Sequence, residues 1–167
     1  YTSPHLEHVN ERIAIDGQQL SDDDFVDTWD QIKDLVAMVD MKMEELDKPK
    51  MSFFEVLTAM AIWKFADAPV DVAIVEVGMG GRWDATNVLD ADAAIIGPID
   101  MDHMAWLGNT VEQIASEKVG IIKPGCTAVI GRQPHEEAVM PIIEEAAAEN
   151  HANLVRDGIE AEVVTRI

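Results

Sequence analysis

Apolar residues recur at Phe25, Trp29, Ile32, Val36, Val39, Met43 and Leu46, in alternating steps of four and three, with acidic residues between them. That period predicts one long helix whose apolar stripe faces its own domain and whose acidic outer face is solvated. Repeats of this kind also suit a coiled coil, although docking on the helix's own domain is the commoner cause. Ser21 is placed to cap the helix, and Asp22, Asp23 and Asp24 put carboxylates at the positive end of its dipole. Asp47-Lys48-Pro49-Lys50 breaks the pattern, and Ser52-Phe53-Phe54-Glu55 then has the spacing of a capping box. The helix that it opens is apolar nearly all round over residues 56–66, with Met60, Ile62, Trp63 and Phe65, which predicts burial between layers. Phe53 and Phe54 at its start could stack on a ligand ring, but their spacing fits core positions better.

Two short apolar runs carry a different signal. Val70-Asp71-Val72-Ala73-Ile74-Val75 is rich in β-branched residues and bounded by Pro69 and Gly78. It reads as a central strand of a parallel sheet. Ala93-Ala94-Ile95-Ile96-Gly97-Pro98-Ile99 reads as a second buried strand, with Asp100-Met101-Asp102-His103 at its exit. If the two strands are parallel neighbours, Glu76 and His103 emerge at the same edge, where ligands of such sheets bind. A carboxylate ending an apolar run needs a partner or a metal, and Glu76 and His103 could share a cation. The plainer readings are a glutamate capped by loop amides and a structural histidine.

The remaining elements alternate between strand and helix. Asn10-Glu11-Arg12-Ile13-Ala14-Ile15-Asp16-Gly17 reads as a short strand into a turn, after a loop at Ser3-Pro4. Thr110 and Gln113 form a second capping box for a helix that passes Lys118 and stops at Gly120. Thr127-Ala128-Val129-Ile130-Gly131 is a strand, a helix runs from Pro134 through Glu149, and Asn153-Leu154-Val155-Arg156 and Ile159-Glu160-Ala161-Glu162-Val163-Val164 are further strands. This order predicts an α/β fold, layered, with a mostly parallel sheet flanked by helices. No repeat or linker divides it, so residues 1–167 are expected to form a single domain.

Composition narrows the function. The chain of 167 residues carries 12 Lys and Arg against 32 Asp and Glu, a net charge of −20. Such a field repels nucleic acid and anionic lipid, so neither is expected as a partner, and a nucleotide would need Mg²⁺ as mediator. The single cysteine, Cys126, excludes an internal disulfide and suits a reducing cytoplasm. Apolar stretches are strand-length or carry charges, so no spanning segment is expected. His5 and His8 could suggest a metal pair, but no third ligand lies near them. Lys118, at a helix end, has a plain reading as a cation near the negative end of the dipole.

The motifs as a set say more. Tyr1-Thr2-Ser3-Pro4-His5-Leu6, Asn10-Glu11-Arg12-Ile13, the stretch Glu76-Val77-Gly78-Met79-Gly80-Gly81-Arg82-Trp83-Asp84-Ala85-Thr86-Asn87, Asp102-His103 and Glu117-Lys118-Val119-Gly120-Ile121-Ile122-Lys123-Pro124-Gly125 occur in this order. Together they resemble the folylpolyglutamate synthase/dihydrofolate synthase family, within the wider Mur ligase group. The resemblance implies ATP-dependent amide formation, in which the carboxylate of a pteroate or folate becomes an acyl phosphate that the amine of L-glutamate attacks. It implies Mg²⁺ held by Ser3, Glu76 and His103, with His103 and a carbamylated Lys118 in the catalytic machinery and Lys118 also serving the nucleotide and metal site. It places Ser52, Phe53, Phe54 and Glu55 along the pterin site, Phe54 as the ring contact, with Trp83, Asp84 and Ala85 beside it. Trp83 departs from the leucine that family members often carry there.

The resemblance also implies an incomplete central ligase domain. The family's phosphate loop is expected before Tyr1, because no Gly-Lys dipeptide occurs in the chain, and the family's C-terminal domain is not in the sequence. This piece alone is expected to be inactive, and the whole protein to be a cytoplasmic monomer. Dihydrofolate synthase, folylpolyglutamate synthase and the combined activity all stay open. Two other readings compete. A Rossmann-like, S-adenosylmethionine-dependent methyltransferase would use Gly78 to Gly81 as its glycine loop, but requires a helix directly after Gly81, where residues 82–87 have turn character. A non-enzymatic acidic interaction domain would use the face of the helix that begins at Ser21.

Overall fold

The computed structural model describes residues 1–68 and 70–161, and the chain divides into two compact units, Tyr1–Gly78 and Met79–Ile167. Each has its own apolar core.

In the first unit a two-stranded antiparallel hairpin, β1 (Ala14–Ile15) and β2 (Gln18–Gln19), precedes two helices, α1 (Asp22–Glu45) and α2 (Phe53–Asp67). The expected strand over residues 10–15 is shortened. Val9–Arg12 instead form a 3₁₀ turn, because the Glu11 carboxylate gathers the backbone N–H groups of Leu6, Glu7 and His8 and folds the chain back on itself. Both helices start where expected. The Ser21 hydroxyl accepts from the Asp24 N–H, and Ser52 and Glu55 close a reciprocal capping box. On α1 the stripe is buried at Ile32 and Val36, with Thr28 beside them, while Val39 and Leu46 stay exposed. On α2 Leu57, Met60 and Ala61 are buried, but Trp63 is exposed and donates to Gln31. The expected all-round burial of α2 is therefore one-sided.

Residues 70–77 form no regular sheet strand among the described residues, which corrects the expected central strand. Their backbone meets Tyr1, whose N–H donates to the Ile74 carbonyl at 2.8 Å and whose carbonyl accepts from the Glu76 N–H at 2.9 Å. Val72 and Ile74 are 77% and 79% exposed. The β-branched run favours extension, yet only Val75 joins the core of Tyr1, Ile13, Leu20, Leu57 and Met60.

The second unit holds a three-stranded parallel sheet in the order β3-β4-β5, formed by β3 (Ala93–Ile96), β4 (Thr127–Ile130) and β5 (Asn153–Arg156). Between β3 and β4 run α3 (Met104–Leu107) and α4 (Val111–Lys118), and α5 (Glu136–Glu149) joins β4 to β5. This is the right sequence of elements for parallel crossovers. Ala94, Ile96, Ala128 and Ile130 point into the core with Ile114, Val139 and Ile143, whereas Ile95 on the opposite face is 73% exposed. β3 is thus buried on one face, not on both. Thr110 caps α4 as expected, but the Gln113 side chain takes the N–H of Asn109. Of the strand expected over residues 159–164, residues 159 and 160 lie in a turn, Ala161 makes an isolated bridge to Asp157, and 162–164 lie outside the described residues. Among the described residues no helix is long and apolar enough to cross a membrane.

Candidate active site

Two of the expected site residues meet in the first unit. The Ser3 N–H donates to Glu76 Oε2 at 2.6 Å, across 73 positions of sequence. Glu76 is exposed, not buried. One carboxylate oxygen is thereby held by a backbone amide, while Oε1 and the Ser3 hydroxyl remain as oxygen donors of the kind hard cations take. Ser3 precedes a cis peptide bond to Pro4.

The aromatic pair at the start of α2 divides its roles. Phe54 is partly buried, 5.9 Å from the Tyr1 ring between centroids, and its ring lies so close to Gly78 that a Cβ there has no room. Phe53 is 60% exposed, with the Arg12 guanidinium 5.5 Å from its centroid. Arg12 is itself buried and donates from Nε to His5 Nδ1 at 2.9 Å. Of the two rings, Phe53 is the one with a free face. The polar groups of Ser52 and Glu55 are engaged in their capping box. Glu11, which gathers three loop amides, has its carboxyl held down to about 2 by those N–H donors.

The second unit holds the rest of the expected residues. The glycine-rich loop is shaped from within by Asp84. Its Oδ2 accepts from the Met79 N–H at 2.9 Å, and its Oδ1 accepts from the N–H and the hydroxyl of Thr86. Both oxygens thus serve the loop, which continues as a 3₁₀ turn over Ala85–Val88. No helix follows Gly81, as the methyltransferase reading would require. Trp83 stands 87% exposed on this loop, beside half-buried Ala85.

His103 sits where β3 gives way to α3, with a left-handed backbone (φ 48°) and its ring Nε2 3.4 Å from Asp102 Oδ2. Gln133 and His135 tie this exit to the end of β4. Gln133 Oε1 accepts from the Ile99 N–H at 2.9 Å, its Nε2 donates to the Gly97 carbonyl at 3.0 Å, and His135 Nε2 lies 3.0 Å from Asp100 Oδ1. The Asp100 carboxyl is held below its ordinary range, first by the Met101 N–H and then by His135.

Lys118 is the last residue of α4 and is half-buried. The glycine loop closes on this helix end: the Arg82 N–H donates to the Glu117 carbonyl at 2.9 Å, and the Arg82 side chain to that of Ser116 at 3.3 Å. The sequence alone points to no role for Asn87, Lys123, Gln133 or His135. Asn87 and Lys123 lie inside the motifs that carry the family resemblance, which was the available signal. Among the described residues no cluster of three or more His, Cys, Asp and Glu side chains forms a metal site. Ser3 and Glu76 belong to the first unit, and His103 and Lys118 to the second.

No family model matches the chain. It is 48% identical, over 99% of its length and 35% of the relative's, to the dihydrofolate synthase/folylpolyglutamate synthase of Mycobacterium tuberculosis. To the protein of the same name from Escherichia coli it is 38% identical over 96% of its length and 35% of the relative's. Among solved structures, the M. tuberculosis folylpolyglutamate synthase complexed with ADP and AMPPCP superposes with a TM-score of 0.90 at 49% identity, covering 99% of this chain and 37% of that one. The Thermotoga maritima folylpolyglutamate synthase gives 0.85 at 36% identity, over all of this chain and 37% of that one. The chain therefore spans about a third of the length of the relatives that it matches. Over that third, with a parallel sheet flanked by helices and the motifs in their family order, the chain belongs to the dihydrofolate synthase/folylpolyglutamate synthase family.

Proposed function

We propose that this chain is the central part of an ATP-dependent ligase that joins L-glutamate to a pteroate or folate acceptor. In that reaction the acceptor carboxylate attacks the terminal phosphorus of ATP and ADP leaves. The glutamate amine then attacks the acyl phosphate, losing a proton as the amide forms and inorganic phosphate departs. The observation that carries the reading is the match over 99% of the chain, at 49% identity, to an enzyme solved with ADP and AMPPCP. An acceptor site for folate is supported by a 31% identical relative solved in an AMPPCP and folate complex, with a TM-score of 0.87.

The donor chemistry fits Mg²⁺. Ser3, Glu76 and His103 would hold it, and the Glu76 oxygen left free by the Ser3 N–H is of the hard kind that the ion prefers. When bound, Mg²⁺ neutralises phosphate charge. Lys118 would serve the nucleotide end of the site, as the carbamate if it takes up carbon dioxide. Ser52, Phe53, Phe54 and Glu55 of the first unit and Trp83, Asp84 and Ala85 of the second would contact the acceptor, Phe54 through its ring, with Phe53 and Trp83 the more exposed aromatic side chains. The net charge of −20 disfavours nucleic acid and anionic membrane as partners of this part of the protein, and the proposed working form is a cytoplasmic monomer.

The test is product formation by a protein carrying this chain at its relatives' full length, supplied with MgATP, labelled L-glutamate and either dihydropteroate or tetrahydrofolate. Label in a pterin product supports the reading, and the acceptor used distinguishes the two named activities. Activity with both acceptors is the result we expect. Label in neither, from a folded protein, removes the folate assignment. Residues 1–167 alone should form no product.

A further inference from the structure

We propose that Asn87 and Lys123, with the close backbone approach at Gly81 and Gly120, form a clasp that positions Lys118 for turnover. The proposal rests on the ligase reading above. A helix ends with carbonyls that have no partner inside it, and here the glycine loop supplies their donors. Arg82 takes the Glu117 and Ser116 carbonyls, and the Asn87 amide Nδ2 donates both to the Arg82 carbonyl at 3.0 Å and to the Gly120 carbonyl at 3.2 Å. Lys123 closes the ring by donating from Nζ to the Asn87 carbonyl at 2.7 Å.

The approach is as tight as backbone allows. A Cβ at Gly81 would lie 2.7 Å from the Glu117 carbonyl oxygen and 2.9 Å from that of Lys118, and one at Gly120 would lie 2.6 Å from Arg82 Cα. No side chain can act as a spacer between loop and helix end. Asn87 Oδ1 is buried and has no hydrogen-bond partner among the described residues. Its amide is therefore retained for the two bonds that Nδ2 makes, at the cost of an unsatisfied acceptor. An aspartate of the same shape has no N–H to give and would set a carboxylate against two carbonyl oxygens. Asn87 and Lys123 touch no reacting atom in this account. They act by fixing where the last residue of α4 stands, and misplacement by about 1 Å can cost on the order of a hundredfold in rate.

The experiment measures ADP release by the full-length protein as wild type and as Asn87→Ala, Asn87→Asp, Lys123→Met and Lys123→Arg, each compared per folded molecule from thermal unfolding curves. The expected result for Asn87→Ala, Asn87→Asp and Lys123→Met is a kcat lower by about tenfold or more with KM for ATP and glutamate within about threefold. Lys123→Arg, which keeps a long cationic donor, should recover most of the rate. On a Lys118→Ala background, Asn87→Ala should cost no further kcat, as expected of residues that act as a unit. An active wild type with all variants within about threefold of its kcat overturns the clasp and leaves the ligase reading standing. A further loss on the Lys118→Ala background does the same. A wild type without pterin- and glutamate-dependent ADP release overturns the ligase reading and the clasp with it. Should Asn87→Ala not fold, the comparison of Lys123→Met with Lys123→Arg decides the matter alone.

Discussion

Residues 70–77 and β3 look alike as sequence, and fold differently. Both are short apolar runs that end near an acid, and each leads toward a candidate ligand, Glu76 in one case and His103 in the other. β3 lies in a parallel ladder with β4, and Ala94 and Ile96 are each 4% exposed. Residues 70–77 have the Tyr1 backbone as their partner, and leave Val72 and Ile74 in solvent. The lesson is that an apolar β-branched run does not make a buried strand by itself, and that burial depends on what stands beside it. α4 and α5 supply that cover for one face of β3, through Ile114, Val139 and Ile143.

Mutations can break this comparison or sharpen it. The largest effect is expected in the covered core: Ile114→Ala, at a fully buried side chain, should cost about 3 kcal/mol in urea unfolding of the full-length protein. Ser52→Ala comes next. It removes the cap of α2, the helix whose core Val75 joins, and should cost about 1 kcal/mol in the same measurement.

A pH effect of smaller size should follow from Glu11. Its folded carboxyl lies at about 2, below the ordinary 4.5, so its contribution is present above pH 4.5 and lost as the pH falls toward 2. The carboxylate is solvent-exposed, which keeps the effect modest. The thermal midpoint of the wild type should fall over that window more steeply than that of Glu11→Gln. The smallest effect belongs to the exposed run: in urea unfolding of residues 1–167, Ile74→Ala should change stability by less than about 0.5 kcal/mol. A cost at Ile74 equal to that at Ile114 would erase the contrast between the two segments.

The parts legible in the sequence were those set by neighbours in the chain. The caps at Ser21, Ser52 and Thr110 and the elements β4, α5 and β5 follow from local spacing, and all stand where expected. What was not legible depended on distant partners. The Glu11 carboxylate turned an expected strand into a 3₁₀ turn, and residues 70–77 meet the Tyr1 backbone and no sheet strand among the described residues. The candidate site divides in the same way. Family motifs named Ser3 and Glu76, which the structure brings together, but the engagement of Asp84 with its own loop needed coordinates. So did the bonds of Asn87 to Gly120 and of Lys123 to Asn87, across 33 and 36 positions.

The central claim is that this chain serves glutamate ligation to a pterin acceptor. Its most direct test is steady-state ADP release by the full-length protein with MgATP, as glutamate and the pterin acceptor, dihydropteroate or tetrahydrofolate, are each left out in turn. The account predicts release only when both are present. Release that ignores the pterin, or none from a folded protein, would contradict it.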